Sequence, residues 1–469
     1  MMERSWIICV GILSFACAVS PSQAGTIYPE ILEKLKNLSP EDEISVIVTL
    51  VDQQNLKQFK SIYKKSRRQE INRALRDTAD KTQKPLNDFL NTKKATKIIP
   101  FWIFNGMAAT LRADQVDELA QRPEVKSLRL DSIHRLPPHP FPAAASVPEW
   151  NLDAINAPAL WVRSFTGAGV VIASMDTGVD ASHPDLASRW RGGGNSWFDP
   201  HGEHATPYDQ DGHGTQTMGV MVGGNAGGTS IGVAPGSSWI AVKLYNDAGI
   251  TTDSFIHLGF QWLLDPDSNP GTDDAPDVVN NSWGYDQRVN ECVTEFQPDV
   301  QVLKAAGIAV VFSAGNGGPG ASTSVSPANY PEGFAVGGVD EMLTVTLSSS
   351  RGPSACDGTI FPEIVAPGAN IRTADLTFGG VNPDPYATLS GTSFAAPHVS
   401  GAMALLLSAS PQLTVEDLEA LLALSAADRG APGPDHDYGN GLLDVAAAYA
   451  SFYSFPWSLF VPALTGQAH

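Results

Sequence analysis

Hydrophobic and polar positions follow two different regimes along the chain. Between residues 26 and 135, short runs of two-residue period surround a charged stretch. Ile44-Ser45-Val46-Ile47-Val48-Thr49-Leu50 alternates like a strand, and residues 56–90 carry Leu56, Phe59, Ile62 and Tyr63 at helical spacing. Residues 101–104 and 108–111 read as strands joined by the turn Asn105-Gly106; residues 113–122 read as a helix and 125–130 as a closing strand. This pattern predicts a small α/β unit. Leu136-Pro137-Pro138-His139-Pro140-Phe141-Pro142 then breaks it. Proline removes backbone donors, so an exposed linker is expected there, with two domains meeting at it.

Beyond residue 150 the apolar runs are β-branched and nearly continuous, as in strands buried on both faces. They fall at 170–175, 239–244, 277–281, 308–312 and 334–337, with helical stretches at 254–264 and 300–306. The alternation predicts an α/β domain, a mainly parallel sheet covered by helices. Thr414-Val415-Glu416-Asp417 opens another helix, with Thr414 as its N-cap. Residues 452–469 are apolar but interrupted by Pro456 and Pro462, and support no assignment.

The first residues read as an address. Glu3 and Arg4 precede an apolar run over 6–19, followed by Ser22-Gln23-Ala24, a small-x-small cleavage pattern. The run is shorter than the ~20 residues a spanning helix needs, and nothing later reaches that length. A secreted protein, extracellular or periplasmic, with no stable membrane span is expected. Cys9 and Cys17 would leave with the leader. Cys292 and Cys356 remain in an oxidising compartment, where a disulfide between them is expected.

Composition narrows the function classes. With 469 residues, 43% hydrophobic and 17% charged, the chain is neither disordered nor a single small domain. A net charge of -20 excludes a nucleic-acid binder working through a basic surface. The charge is divided: residues 25–145 hold 20 Lys+Arg against 15 Asp+Glu, whereas 146–469 hold 9 against 34. The two segments therefore attract one another.

Four glycine-embedded stretches stand at strand ends or at a helix start, where open α/β sheets place their ligands. They are Met175-Asp176-Thr177-Gly178, Asp211-Gly212-His213-Gly214-Thr215, Ser313-Ala314-Gly315-Asn316-Gly317, and Ser390-Gly391-Thr392-Ser393-Phe394-Ala395-Ala396-Pro397-His398. Each alone is also an ordinary turn, surface histidine or Ser cap. Together, Asp, His and Ser in this order match one of the known orders of the serine-nucleophile triad. Ser393 would open its helix where free N–H groups and the macrodipole favour an oxyanion. An aspartic peptidase would need a second Asp-Thr/Ser-Gly, which does not occur. His201-Gly202-Glu203-His204 lacks the His-Glu-x-x-His spacing of zinc peptidases.

On these motifs, residues 150–450 resemble the subtilisin-like serine peptidases, with 391–401 the most specific stretch. Val279-Asn280-Asn281-Ser282-Trp283-Gly284 is similar to the bacillopeptidase F branch, and residues 44–131 are similar to the family's inhibitory propeptide. The resemblance implies a three-layer α/β/α catalytic domain preceded by a small ferredoxin-like α+β propeptide domain. It implies Ser393 as nucleophile, His213 as general base and then acid, and Asp176 as the residue that orients His213. Asn316 would be the oxyanion donor. Ser282, Trp283 and Gly284 would form the substrate-pairing edge, with 245–249 opposite. The implied domain map is a signal peptide (1–24), an inhibitory propeptide (25–135), a linker with the maturation site (136–149), a catalytic domain (150–450) and a tail (451–469).

The product would be a self-processing, monomeric endopeptidase acting on proteins and peptides, with its own propeptide as intramolecular inhibitor. A catalytically idle exported scaffold of the same fold is the competing expectation. No cofactor is implied for catalysis. Many relatives bind structural calcium, and Asp265, Asp267, Asp273 and Asp274 beside Asn269 and Gly271 have suitable oxygen chemistry, as does any solvated acidic loop. Two departures stand out. Gln216 replaces a frequent second histidine, and Gly317 stands where some relatives carry an acid lining the primary pocket.

Overall fold

The computed structural model describes residues 24–60, 64–136, 150–380, 382 and 384–454. Residues 1–23 of the expected leader, all of the linker beyond Leu136, and the end of the tail lie outside them. Among the described residues, no helix is long and apolar enough to cross a membrane.

The second domain is organised by a seven-stranded sheet whose paired strands are all parallel. Its order is Ile364–Pro367, Phe334–Val339, Ala309–Ser313, Val278–Asn281, Val171–Asp176, Ser238–Lys243, Trp197–Phe198. Successive side chains of a strand point to opposite faces. Ile172, Val278 and Val311 accordingly pack with Met218 and Ala395 of the helices His213–Val222 and Thr392–Ala409. Ala173, Val279 and Phe312 pack with Phe260 and Leu303 of Asp253–Leu264 and Gln297–Ala305 on the other side. This is the three-layer α/β/α arrangement expected. Cys292 and Cys356 are joined as a disulfide, their Cα atoms 4.7 Å apart.

The first domain is a sheet of Val125–Leu130, Glu43–Leu50, Gly106–Arg112 and Thr96–Phe101, antiparallel throughout, with Thr26–Ile27 added in parallel. With its intervening helices, this is the order of a ferredoxin-like unit. The charged stretch 56–90 is not one helix. It divides into the turn Leu56–Phe59 and the helices Lys64–Thr82 and Lys84–Thr92, the last with Pro85 in its first turn, where a preceding helix cannot continue. Residues 102–105 form the turn instead of a strand. Ile103 and Phe104 are apolar because they are buried against the larger domain, a tertiary cause that mimics a strand pattern. Ile364–Pro367, Ile371–Ala374 and Tyr386–Leu389 were not anticipated; at four residues each they are too short to display a period. Thr414 caps its helix as expected, accepting from Asp417 N at 3.1 Å.

The two domains share a core. One face of the first sheet holds Val46 and Val48 against Leu86 and Leu119, while Ile47, Phe101 and Phe104 face Ile256 and Phe260 of the second domain. Around this contact lie Arg68–Asp273 at 3.0 Å, Arg76–Asp265 at 2.5 Å and Arg129–Glu295 at 3.2 Å, all partly or fully buried. The opposite charges inferred from composition therefore meet at this interface. His257 lies at its centre, 4.5 Å from the Phe104 ring, giving Nδ1 to Asp299 at 2.9 Å and Nε2 to Glu295 at 3.1 Å. Burial opposes its charge, but the two carboxylates outweigh burial and raise its pKa to about 10.

A histidine charged in the fold and neutral when unfolded stabilises fully below its ordinary pKa, and the gain disappears as pH rises through the folded value. The unfolding midpoint of the full-length chain carrying Ser393→Ala, read by calorimetry, should therefore fall by several degrees between pH 6.5 and 10. His257→Gln should lower the midpoint at neutral pH and flatten that fall.

Candidate active site

Asp176 ends the strand Val171–Asp176 and His213 begins the helix His213–Val222, so rigid backbone fixes both. Their approach depends on glycines. A Cβ on Gly214 would lie 2.1 Å from Gly178 O, and one on Gly178, at φ +121°, would lie 1.9 Å from Tyr208 O. With both absent, His213 Nδ1 donates to Asp176 Oδ1 at 2.7 Å. Thr177 N donates to the same oxygen at 2.7 Å, and Thr217 Oγ1 reaches Oδ2 at 3.4 Å. Asp176 is only 2% exposed. Burial disfavours a charged His213, but the charge and hydrogen bond of Asp176, then Asp211 and Asp209, hold its pKa above the usual imidazole range.

Ser393 is the second residue of Thr392–Ala409, after Gly391 at φ +149°. Pro397 lies inside this helix and has no N–H for the Ser393 carbonyl. That carbonyl instead accepts Ser282 Oγ at 2.8 Å, which ties the helix start to the end of the strand Val278–Asn281. Ser393 Oγ itself lies 3.5 Å from Ser282 O. Asn316 follows the strand Ala309–Ser313, and its Oδ1 accepts Thr392 N and Thr392 Oγ1, each at 3.0 Å. Pinned through its oxygen, the amide is left with Nδ2, which has no hydrogen-bond partner among the described residues. Asp176, His213, Asn316 and Ser393 all line one cavity of about 350 Å³ with Ser282, Trp283 and Gly284. The sheet thus brings together every candidate residue of the triad, the oxyanion donor and the pairing edge.

Trp283 is buried, 5.8 Å from Phe296 and 6.2 Å from Phe312, so it anchors this edge and leaves the neighbouring backbone to face the cleft. Gln216 donates to Asp375 Oδ1 at 3.0 Å, away from the Asp176–His213 pair. Gly317 lines the cavity without an acid, its N–H donating to Ser350 Oγ at 3.0 Å. Across the cleft, Leu136 N donates to Gly249 O at 2.8 Å, within 245–249, and the pairing continues past it as Ile250–Thr252 runs antiparallel to Ile133–Arg135. Leu136 also lines the cavity. Sequence reasoning missed this strand because it is three residues long and abuts the proline-rich linker.

In the acidic loop, carboxylate oxygens of Asp265, Asp267 and Asp274 lie within 4.8 Å of one another. Arg76 of the first domain already neutralises Asp265, and Arg68 neutralises the adjacent Asp273. Asp265 is thereby partly neutralised, while the three grouped carboxylates keep oxygen chemistry suited to a hard cation.

The subtilase family (peptidase S8) model matches residues 167–441. Bacillopeptidase F of Bacillus subtilis (strain 168) is 36% identical over 459 residues, which are 90% of this chain and 31% of that protein. The chain thus spans under a third of that relative. Subtilisin E from the same strain is 35% identical over 74% of this chain and 81% of its own length. Subtilisin of Bacillus pumilus is 35% identical over 65% of the chain and 99% of its own length. The strand-end aspartate, the helix-start histidine and the helix-start serine thus sit in a chain that belongs to the subtilase family of subtilisin-type serine peptidases.

Proposed function

We propose that the chain is an exported serine endopeptidase made as a self-processing zymogen, with Ser393 as nucleophile. The observation that carries this is the 2.7 Å hydrogen bond from His213 Nδ1 to Asp176, made in the same cavity as Ser393 and Asn316. Asp176 holds the imidazole in the tautomer that leaves Nε2 free of a proton. Ser393 Oγ attacks the scissile carbonyl carbon while His213 Nε2 takes the hydroxyl proton, and the carbonyl π pair moves onto oxygen. Asn316 Nδ2 and the Ser393 N–H, which has no intrahelical acceptor, face that oxygen. Collapse breaks the C–N bond, and His213 passes the proton to the leaving amine. Water, deprotonated by His213, then releases the acyl group and restores Ser393.

In this reading residues 1–24 are a signal peptide, 25–135 an inhibitory propeptide, 136–149 the linker that is cut, 150–450 the catalytic domain and 451–469 a tail. The enzyme is a secreted monomer that recognises extended protein and peptide substrates through backbone pairing with Ser282, Trp283 and Gly284. The placement of Leu136 in the cavity supports the propeptide as intramolecular inhibitor. So do the ion pairs of Arg68, Arg76 and Arg129 with the second domain.

Purified wild-type precursor should cut itself between about His134 and Trp150 and should be labelled by a fluorophosphonate at Ser393, mapped by mass spectrometry. Ser393→Ala should stay full length and unlabelled. An unlabelled, uncut wild type would sink the proposal. Because only neutral His213 accepts the proton, kcat/KM should fall with acid through a value above the ordinary 6.5. Asp176→Asn should move that limb down and cost about 10⁴-fold in kcat. Asn316→Ala should lower kcat about 10²–10³-fold with little change in KM, the scale known for removing this donor in a subtilisin.

A further inference from the structure

We propose that the cleft contains a subsite for a basic side chain, built on Asp253, which selects among the extended peptides the enzyme accepts. The inference rests on the function proposed above. Ile133–Arg135 lies along Ile250–Thr252 as a substrate strand would, with His134 opposite Thr251. Side chains on such a strand alternate. Ile133 is 68% exposed and Arg135 is exposed, whereas His134 and Leu136 turn inward. Leu136 lines the cavity that holds His213 and Ser393. The second domain therefore inspects the side chain two residues upstream of the one entering that cavity.

A buried carboxylate meets this side chain. His134 Nε2 donates to Asp253 Oδ1 at 2.6 Å, with the two side chains 17% and 4% exposed. The Tyr285 hydroxyl donates to the same oxygen at 2.9 Å, and its ring stands edge-on to His134 at 4.9 Å between centroids. Burial, then the charge of Asp253, pushes the Tyr285 phenol well above its usual range, so it stays a donor. Asp253 Oδ2 accepts Ser132 N at 3.1 Å. Two of these three donors belong to residues 132 and 134. When that segment departs, Tyr285 alone remains of the three. A peptide that covers Asp253 again without bringing donors buries an under-satisfied carboxylate, which is costly. A peptide bringing Arg, Lys or protonated His restores the missing donors and the opposite charge. Aliphatic side chains leave the carboxylate unpaired, and acidic ones repel it.

The test uses internally quenched peptides copying residues 131–150 with position 134 as His, Arg, Lys, acetyl-lysine, Leu or Asp, cleaved by the enzyme that the full-length chain yields on self-processing. The Arg, Lys and His peptides should exceed Leu and acetyl-lysine by about tenfold or more in kcat/KM, with Asp slowest. In Asp253→Asn the Arg-to-Leu ratio should fall to within about twofold of one. Equal rates for lysine and acetyl-lysine in the wild type would overturn the subsite, and that comparison needs no variant to fold. So would an unchanged Arg-to-Leu ratio in an Asp253→Asn enzyme that still labels. Fluorophosphonate labelling run in parallel separates the two claims. A labelled enzyme with a flat series removes the subsite alone, whereas an inert, unlabelled chain removes the peptidase reading and the subsite with it.

Discussion

The cleft depends on one close approach, that of the start of the His213–Val222 helix to the end of the Val171–Asp176 strand. Two parallel constraints make it: the strand fixes Asp176, and the missing side chains at Gly178 and Gly214 let the two backbones touch. The resulting 2.7 Å hydrogen bond is shielded from water, so its electrostatic effect on the imidazole is large. Side chains at either glycine would push the elements apart, and the proposed base would lose both its orientation and its elevated proton affinity.

The proposed nucleophile is held by a different device. Thr392–Ala409 runs through the core, and Pro397 leaves the Ser393 carbonyl without its helical partner, which Ser282 supplies. Thr392 in turn holds Asn316 by its oxygen and leaves the amide nitrogen free to act. The proposed nucleophile, oxyanion donor and pairing edge are thereby linked through three hydrogen bonds, each ending on a residue adjacent to or within the cleft.

The first domain covers the same region by opposite means. Apolar contact through Phe101 and Phe104 supplies area, and Arg68, Arg76 and Arg129 meet carboxylates that would otherwise be buried unpaired. The short strand Ile133–Arg135 then carries the chain onto the cleft edge. Removing the domain exposes Asp253, Asp265 and Glu295 to water or to new partners, so docking and the proposed substrate selection draw on the same acidic surface.

Much of this was legible in the chain. Near-continuous β-branched runs announced a parallel sheet because strands covered on both faces have no polar side. The glycine-embedded Asp176, His213, Asn316 and Ser393 stood out because tight turns and close approach need glycine, whatever the rest of the fold. Period and turn chemistry are local and survive in one dimension. Three-residue strands, the apolar turn at 102–105, and the convergence of His134, Tyr285 and Asp253 are not local. They arise because burial and charge pairing act between segments from about thirty to more than a hundred residues apart, and only the folded chain decides which segments those are.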